Sequence, residues 1–263
     1  MASAHLDCIN GAAGDMLLAA ILDAGAATAP VEEALAGCGV AVRLRTEVVF
    51  RAGLRGLRVS FDPGSGEVAR QRDLQTCLAA VDGSDLPLRA RARAAGALRA
   101  LGVAEARLHG VAVDSVHLHE LGAFDTMVDI VGVAAALEQL DVDVISCGPL
   151  PAGSGTVTTE HGELPLPAPA ALDILAAAGF SLMGGVDGVE QVTPTGAAIL
   201  AAMARPGPPG LRLRSVGHGA GARDDPRRPN LVRCWLGEPL PGALGEDAPA
   251  TPEAFDDPAV ELR

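Results

Sequence analysis

The stretch Ala4-His5-Leu6-Asp7-Cys8-Ile9-Asn10-Gly11-Ala12-Ala13-Gly14-Asp15-Met16 decides the fold class. Ala4 to Ile9 predicts a short strand, Asn10 to Asp15 predicts a turn, and Met16 to about Ala24 predicts an apolar helix. Strand, turn and helix in this order form one unit of an α/β or α+β domain. The exposed amides at such a turn, together with the helix dipole, can hold an anion. Two glycines without a lysine are weak evidence for such a site, and Asp15 is equally well explained as an ordinary N-cap.

Further strands and helices alternate along the chain. The predicted strands are Val40–Phe50, Leu54–Phe61, Val142–Cys147, Thr156–Thr158, Leu211–Val216 and Leu231–Leu236, and the predicted helices follow Pro30 and span Leu86–Leu108, Asp125–Leu140, Ala168–Ala178 and Pro194–Met203. We therefore expect an α/β (or α+β) fold with a mixed sheet, helices packed against it and glycine-rich site loops. Residues 1–238 should form one domain. Residues 239–263 are acidic and rich in Pro and Ala, so we expect a disordered tail.

The composition excludes several classes of function. A net charge of −13 argues against nucleic-acid binding, which needs Lys and Arg to neutralise phosphates. The chain contains no Lys, which excludes a Walker A loop and a pyridoxal Schiff base. Five scattered cysteines without a C-x-x-C motif indicate a reducing cytoplasm, and no segment has the length of a transmembrane helix or the pattern of a signal peptide.

The densest group of potential metal ligands lies in Ser115-Val116-His117-Leu118-His119-Glu120, which holds two of the six histidines of the chain. In an extended segment, His117 and His119 point to the same side, because strand side chains alternate with period two. Imidazole and carboxylate together suit divalent nickel, zinc, manganese or iron. The alternative is a pair of buried, hydrogen-bonded histidines at a strand end, and the directly following Glu120 favours the metal site.

Two aspartates follow this histidine-rich stretch. Asp125 is a further candidate ligand, although it also fits the start of the helix that follows. Thr126 and Asp129 match a capping box, in which Asp129 bonds back to the helix start. For Asp129, this local explanation is at least as good as metal ligation.

Three glycine-rich segments combine Gly with Thr, His or Arg, which suggests recognition of a phosphate or carboxylate. They are Gly153-Ser154-Gly155-Thr156, Thr193-Pro194-Thr195-Gly196 and Gly217-His218-Gly219-Ala220-Gly221-Ala222-Arg223-Asp224. Arg223 is the obvious anion clamp, although a surface ion pair is the commoner role of an Arg. Each segment could also be only a turn.

These segments together resemble the LarC family of nickel-insertion proteins, which act in nickel-pincer cofactor synthesis. The resemblance covers about residues 5–238. It rests on Asp7-Cys8-x-x-Gly11-x-x-Gly14-Asp15-Met16, Val116-His117-x-His119-Glu120-x-Gly122-Ala123-x-Asp125, Pro149-Leu150-x-x-Gly153-Ser154-Gly155, His161-Gly162-x-Leu164-Pro165-x-Pro167-Ala168-Pro169, Val192-Thr193-Pro194-Thr195-Gly196-Ala197-Ala198 and Gly217-x-Gly219-Ala220-Gly221-x-Arg223-Asp224, in the family's order.

The resemblance implies a nickel chelatase, or cyclometallase, of the lyase class that serves lactate racemase maturation. Its substrate would be a pyridinium mononucleotide with two thiocarboxylates, and it would use CTP with Mg2+ or Mn2+. His117, His119, Glu120 and Asp125 would bind nickel. Glu120, Asp7 and Asp15 would be catalytic, with Glu120 a ligand or a base for deprotonating the ring carbon. The anion-binding positions would be Gly11, Gly14, Gly153, Ser154, Gly155, Thr195, Gly219 and Arg223.

Members of the LarC family usually continue into a further C-terminal domain that is associated with CTP and metal binding, whereas this chain continues into the acidic tail. We therefore expect a separate partner that carries the second domain, and the chain could also form a homo-oligomer. Whether the chain is active alone is left open. A rival hypothesis is a non-catalytic nickel carrier or scaffold, and a third is a metal-dependent phosphohydrolase, which lacks a recognisable signature here.

Overall fold

The computed structural model describes residues 1–63, 73–116, 123–159, 162–186, 188–226 and 228–241. Within these ranges the helices are α1 (Gly14–Ala24), α2 (Thr28–Gly37), α3 (Leu74–Asp82), α4 (Leu88–His109), α5 (Ala123–Gln139), α6 (Pro169–Ala177) and α7 (Pro194–Met203), with a 3-10 turn at Val113–Ser115. The strands are β1 (Ala2–Asp7), β2 (Val42–Arg51), β3 (Leu54–Pro63), β4 (Val142–Cys147), β5 (Leu150–Pro151), β6 (Thr156–Thr159), β7 (Gly162–Pro165), β8 (Leu182–Met183), β9 (Arg205–Pro206), β10 (Leu211–Ala220) and β11 (Leu231–Pro239).

A seven-stranded mixed sheet organises the fold, in the order β2-β3-β10-β11-β1-β4-β9. The strand β1 lies inside the sheet, antiparallel to β11 and parallel to β4. The outer hairpin of β2 and β3 joins the sheet through a parallel contact between β3 and β10. The expected α/β architecture with a mixed sheet is therefore confirmed. None of the helices in the described ranges combines the length and apolarity needed to span a bilayer.

The core is built from small aliphatic side chains because the sequence has few aromatics. Helix α1 lies directly on β3, β10 and β11, and α5 packs against α1, α2 and α4. Leu17, Leu18 and Ile21 of α1 are fully buried. Burial of each such side chain stabilises the fold by about 1.5–3 kcal/mol relative to exposure. Gly25, with φ of 138°, ends the helix in a conformation that favours glycine.

Most predicted elements are confirmed, with differences that have local physical reasons. Helix α2 begins at Thr28 rather than after Pro30, because proline is tolerated in the first turn of a helix. The prediction missed α3, which begins where the Asp73 carboxylate accepts the Thr76 amide proton at 2.7 Å. It also missed β7, the partner of β6, in a segment expected to be mostly loop.

The predicted tail begins too early in the sequence. Pro239 still pairs with Leu211, and the Leu240 amide donates to the Gly210 carbonyl at 2.9 Å. The described chain therefore remains attached to the sheet past residue 238. Residues 242–263 lie outside the described ranges, and their disorder stays a prediction.

Candidate functional site

The segment after β1 and the segment before α7 are tied together at one end of the sheet. The Ala12 amide donates to the Gln191 carbonyl at 2.8 Å, and the Thr193 amide donates to the Ala12 carbonyl at 3.0 Å. The Gln191 side chain is buried and accepts the Val186 amide proton at 2.6 Å. Sequence analysis did not single out Gln191, because an isolated Gln carries no motif signal. Gln191 thus links the segment after β1 with the segment before α7.

Glycine is required where these loops approach each other. Gly11 has φ of 125°, and a Cβ there would overlap the Gln191 carbonyl oxygen. A Cβ on Gly196 would overlap the Ala12 carbonyl in the same way. The adjacent Thr195 is buried in the first turn of α7, and Thr193 caps that helix by accepting the Gly196 amide proton at 3.1 Å. These residues therefore have a packing role, whether or not they also bind a ligand.

A cluster of carboxylates lies where α1 and α5 begin. Asp15 is in the first turn of α1, where its Oδ1 accepts the Met16 amide proton at 2.8 Å. A Cβ on Gly14 would overlap the Asp129 carboxylate, so glycine at this position lets α1 and Asp129 come together. Burial raises the pKa of Asp129 well above its usual range, and the charges of Asp15 and Asp125 raise it further. Asp15 and Asp129 are thus close to each other and partly shielded from water.

The capping-box hypothesis for Thr126 and Asp129 is wrong. Helix α5 already includes Ala123, so both residues lie inside the helix rather than at its N-cap. Asp129 therefore faces Asp15 of α1 instead of bonding to its own helix start. Burial also raises the pKa of Asp15, and the nearby Arg58 of β3 opposes this shift. Partial desolvation likewise raises the pKa of Asp125, whose side chain is largely exposed.

Asp7 has different neighbours from Asp15. Its carboxylate forms an ion pair with Arg233 of the adjacent strand β11, and the Arg233 guanidinium lies 5.3 Å from the Trp235 ring centroid. His5 precedes it on the same strand and hydrogen-bonds Ser146 at 2.8 Å. The catalytic role of Asp7 stays a prediction, and the structure gives it a structural partner that the sequence analysis did not anticipate.

The loop Gly153-Ser154-Gly155 is also part of this end of the molecule. The Ser154 amide donates to the Val186 carbonyl at 3.2 Å, and the Gly188 amide donates to the Ser154 carbonyl at 2.8 Å. Gly153 and Gly155 have φ of 72° and 93°, which favours glycine. The loop therefore joins the same group of segments as Gln191.

Arg223 follows β10 in the sequence and contacts the same group of loops. Its guanidinium donates to the Glu190 carbonyl, and its own carbonyl accepts from the Asn230 side chain at 3.1 Å. Arg223, Gln191, Asn10 and Asn230 line a small cavity of about 70 Å³. Arg223 therefore lies beside the N-terminal loop, and its role as an anion clamp stays a prediction.

A buried arginine holds the Arg223 segment in place. Arg51 at the end of β2 is 8% exposed, and its Nε and Nη2 donate to the Gly221 carbonyl at 3.0 and 2.9 Å. This contact also escaped the sequence analysis, because it joins residues that are far apart in the chain.

The glycine-rich loop predicted to start at Gly217 starts only after Ala220, so that boundary is wrong. Gly217 and Gly219 lie in β10, where Gly219 pairs with Val232. A Cβ on Gly219 would overlap the backbone carbonyl of Met16, and one on Gly217 would overlap that of Ala20. These glycines let α1 lie directly on the sheet. Gly219, which the resemblance assigns to anion binding, therefore also has a packing role.

The five cysteines are buried, and none of them forms a disulfide bond in the structure. Cys8 follows β1 at the site end of the sheet. A hydrogen bond with Cys147 and burial both raise the pKa of the Cys8 thiol. Since the thiolate is the nucleophile and metal ligand, Cys8 is held in its unreactive form.

The sequence model of a family described as nickel insertion protein matches residues 4–258. The chain belongs to this nickel insertion protein family. Its similar relatives include proteins whose names propose nickel insertion as their role. The one from Roseiflexus castenholzii is 43% identical over 236 residues, which cover 89% of this chain and 59% of that protein. Relatives from Pelobacter propionicus and Thermomicrobium roseum are each 43% identical, covering 98% and 94% of this chain and 66% and 61% of their own length.

The resemblance to the LarC nickel-insertion proteins is thus confirmed at the level of the family. This member of the nickel insertion protein family spans about three-fifths of the length of the curated relatives it matches. No solved structure matches the chain.

The predicted nickel ligands of this family member lie in or next to residues 117–122, which are outside the described ranges. His117, His119 and Glu120 lie outside the described residues, as does His161 of another motif. Asp125 is described and is exposed in the first turn of α5. Within the described ranges, no group of three or more His, Cys, Asp or Glu side chains is arranged to hold a metal ion. A metal site next to Asp15 and Asp129 would therefore need a ligand from outside those ranges.

Proposed function

We propose that this chain binds nickel and forms the N-terminal part of a nickel chelatase, or cyclometallase. Its substrate would be a pyridinium bis-thiocarboxylate mononucleotide, which it converts to the nickel-pincer cofactor for lactate racemase maturation. The observation that carries this proposal is the Asp15 and Asp129 pair. Burial and mutual repulsion raise the pKa of Asp129, and a bound divalent cation would relieve both costs.

The donor set suits nickel as the cargo. Carboxylate oxygen and imidazole nitrogen are ligands that divalent nickel accepts. Glu120 precedes Ala123 by only three residues in the sequence, so the chain cannot carry its Cα more than about 11 Å from that of Ala123. Helix α5 begins at Ala123 and carries Asp125 and Asp129. Glu120 is therefore near the start of α5, and we propose that it completes a site with these aspartates together with His117 and His119.

Insertion forms one nickel–carbon bond and two nickel–sulfur bonds, and the ring carbon loses a proton. A carboxylate whose pKa is raised by burial is a better proton acceptor than an ordinary one. We propose Glu120 as the proton acceptor, with Asp7 and Asp15 as the other candidates that the resemblance implies. Among the described carboxylates, burial raises the pKa of Asp15 and of Asp129, so Asp129 is a further candidate.

Arg223 and the loops around Gln191 would hold the phosphate of the mononucleotide. Arg donates to phosphate in a bidentate manner, and glycine-rich turns expose backbone amides. Gly11, Gly14, Gly153, Ser154, Gly155 and Thr195 all belong to segments that meet at this end of the sheet. CTP with Mg2+ or Mn2+ would be used by the complete enzyme, which we place in the cytoplasm as a complex with a C-terminal-domain protein or as a homo-oligomer.

A second candidate function is nickel delivery without catalysis. It is supported by the same Asp15 and Asp129 pair, because binding of a cation there needs no turnover. Turnover discriminates between the two functions. With the mononucleotide, nickel and CTP, the chelatase should couple CTP consumption to nickel insertion, either alone or after addition of the partner domain. Reversible nickel binding without consumption of CTP, with and without that domain, would instead establish the carrier.

Substitution of the histidines tests the metal site itself. We expect His117→Ala and His119→Ala each to weaken nickel binding by at least about tenfold, with little loss of stability, because each removes one ligand. Imidazole must be neutral to bind, so nickel affinity should fall as the pH drops through about 6.5, the reference pKa of His. Calorimetric nickel titrations at several pH values, with melting curves, measure both effects.

The control is His109→Ala, on the last turn of α4, where the ring lies 3.3 Å from Glu105. This variant should bind nickel like the parent. If His117→Ala and His119→Ala also bind nickel like the parent and lose stability instead, the two histidines are buried structural residues and the metal site lies elsewhere.

A further inference from the structure

One arginine beside the loops around Gln191 has no side-chain contact in the described part of the chain. Arg228 lies between β10 and β11 and lines the same small cavity as Arg223. It is exposed, and its backbone amide donates to the Asp225 carbonyl at 3.1 Å, whereas its guanidinium forms no hydrogen bond or ion pair with a described residue. The N–H donors of this guanidinium are therefore available to a ligand.

The backbone holds Arg228 beside the cavity without using its side chain. Asp225 and Arg228 form an antiparallel bridge, which closes a tight turn. Pro226 and Pro229 restrict the backbone of this turn, because the proline ring fixes φ. An anion that binds Arg228 therefore has to order one side chain, but not the turn that carries it.

Asn10 is a second donor in the same wall. Its carbonyl accepts from the Gln191 side chain at 3.4 Å, but its own carboxamide forms no hydrogen bond with a described residue. The other amide side chains of the wall are used within the protein. The Gln191 side chain accepts a backbone amide proton at 2.6 Å, and the Asn230 side chain donates to the Arg223 carbonyl at 3.1 Å. These contacts hold the wall in place, while Arg228 and Asn10 keep donors for a ligand.

Positive charge exceeds negative charge in the wall of this cavity. Arg223 and Arg228 line it, and Asp225 is the one carboxylate that does so among the described residues. Asp225 has an interaction of its own, and neither arginine forms an ion pair with it. Arg223 donates to the Glu190 carbonyl, and Glu190 is not part of the wall. Two arginines against one aspartate leave a surplus of positive charge, in a chain whose net charge is −13.

The size of the cavity limits what can enter it. Its volume of about 70 Å³ is far below the roughly 300–1,000 Å³ of a site that encloses a whole small molecule. Val186, Val189 and Pro229 complete the wall with apolar surface. The space and the donors therefore suit a terminal group with several acceptor oxygens, rather than a whole nucleotide.

We propose that this cavity holds the phosphate of the mononucleotide, with Arg228 and Asn10 as donors that no motif singled out. The assignment rests on the proposed function, which supplies a mononucleotide as the substrate. Guanidinium groups match the oxygen geometry of phosphate, so Arg228 donates to two phosphate oxygens, and Arg223 adds the nitrogens that Glu190 does not use. The Asn10 carboxamide donates to a third oxygen.

Calorimetric titration of the full chain tests this assignment, at constant ionic strength and without metal. The probes are nicotinic acid mononucleotide, a pyridinium mononucleotide with a carboxylate in place of the thiocarboxylates, and its nucleoside, which lacks the phosphate. Arg228→Gln removes the charge of Arg228 and breaks no described contact of its side chain. Asn10→Ala removes the second donor. Arg43→Gln is the matched control, because Arg43 of β2 is also exposed and its side chain also has no contact with a described residue.

We expect the mononucleotide to bind the parent and Arg43→Gln equally, Arg228→Gln about tenfold more weakly and Asn10→Ala about fivefold more weakly. The nucleoside should not distinguish the four proteins, because it has no phosphate, and all four should have the same Tm to within a few degrees. The proposal is overturned if Arg228→Gln binds the mononucleotide as tightly as the parent, or weakens the nucleoside by the same factor. It is also overturned if the Tm of Arg228→Gln alone falls, since Arg228 would then have a structural role.

Failure of this assignment can be told apart from failure of the proposed function. If the parent and Arg228→Gln bind the mononucleotide equally well, the phosphate lies elsewhere, and the nickel-insertion proposal is unaffected. If the mononucleotide does not bind the parent at millimolar concentrations, the assignment of the cavity is overturned. The nickel titrations of His117→Ala and His119→Ala need no phosphate and still decide the metal site.

Discussion

Asp129→Asn is expected to lose nickel binding and, at neutral pH, to become more stable than the parent. Both effects follow from the same contact. Asp129 is desolvated beside Asp15, so its negative charge opposes folding when no cation is bound. The asparagine side chain has a similar shape and no charge, and it is a weaker ligand for a divalent ion. We expect nickel affinity to fall by at least about tenfold, or about 1.4 kcal/mol.

The pH dependence gives the sign of the stability effect. The pKa of Asp129 is raised in the folded state, whereas the reference pKa of an unfolded Asp is about 3.9. Between these two values the folded chain binds more protons than the unfolded chain, so the free energy of unfolding falls as the pH rises. Asp129→Asn removes this contribution. The two proteins should therefore have equal Tm near pH 4, and the variant should have the higher Tm above the raised pKa.

Nickel should reduce this difference. At 100 times the parent's Kd, nickel that binds only the folded state stabilises the parent by about 2.7 kcal/mol, whereas a variant that binds tenfold more weakly gains only about 1.4 kcal/mol. Melting curves at pH 4, pH 5 and pH 7.5, with and without nickel, measure both effects. Asp62→Asn, an exposed carboxylate on the β2–β3 hairpin, is the control and should follow the parent. A nickel-induced Tm shift of the same size in Asp129→Asn and in the parent would rule out Asp129 as a part of the site.

Gly219→Ala is expected to destabilise the fold by about 3 kcal/mol or more, as overpacking against fixed atoms does. A new Cβ would overlap the Met16 carbonyl of α1 and approach the Ala20 amide, and neither backbone atom can rotate away as a side chain could. The usual effect of Gly to Ala at a compatible position is the opposite, a gain of about 0.4–1 kcal/mol through the unfolded chain. A loss of stability in Gly219→Ala, rather than the usual small gain, would therefore show that α1 lies this close to β10.

Gly148→Ala is the matched control, because a Cβ at that position meets no atom within 4 Å. It should leave the midpoint of urea unfolding unchanged or raise it slightly, while Gly219→Ala lowers it sharply. Equal midpoints for the two variants would mean that α1 does not lie on β10 at the distance described. The packing role of Gly219 would then be wrong, and the ligand-binding role suggested by its motif would be favoured.

Local patterns predicted the elements of this fold well, since helices and strands depend on periodicity and on turn residues that lie close in sequence. The predicted bounds of α7 and β4 agree with the structure. The β1–turn–α1 unit was predicted for the same reason. Local patterns failed for Thr126 and Asp129, where a capping box was a good match in sequence. The helix starts earlier, and a neighbour on α1 gives Asp129 its environment.

The sequence by itself determined the chemistry that is available. It supplies the acidic and histidine-rich segments, Arg as its one strong cation and the small side chains that allow a close-packed core. Only the tertiary structure decided which of these groups meet. Asp15 and Asp129, and likewise Arg51 and Gly221, are far apart in the chain. The pKa of a carboxylate and the hydrogen-bond partners of a guanidinium depend on burial and on such distant neighbours. The shift of the pKa and the buried hydrogen bonds arise only when the chain folds and brings these neighbours together.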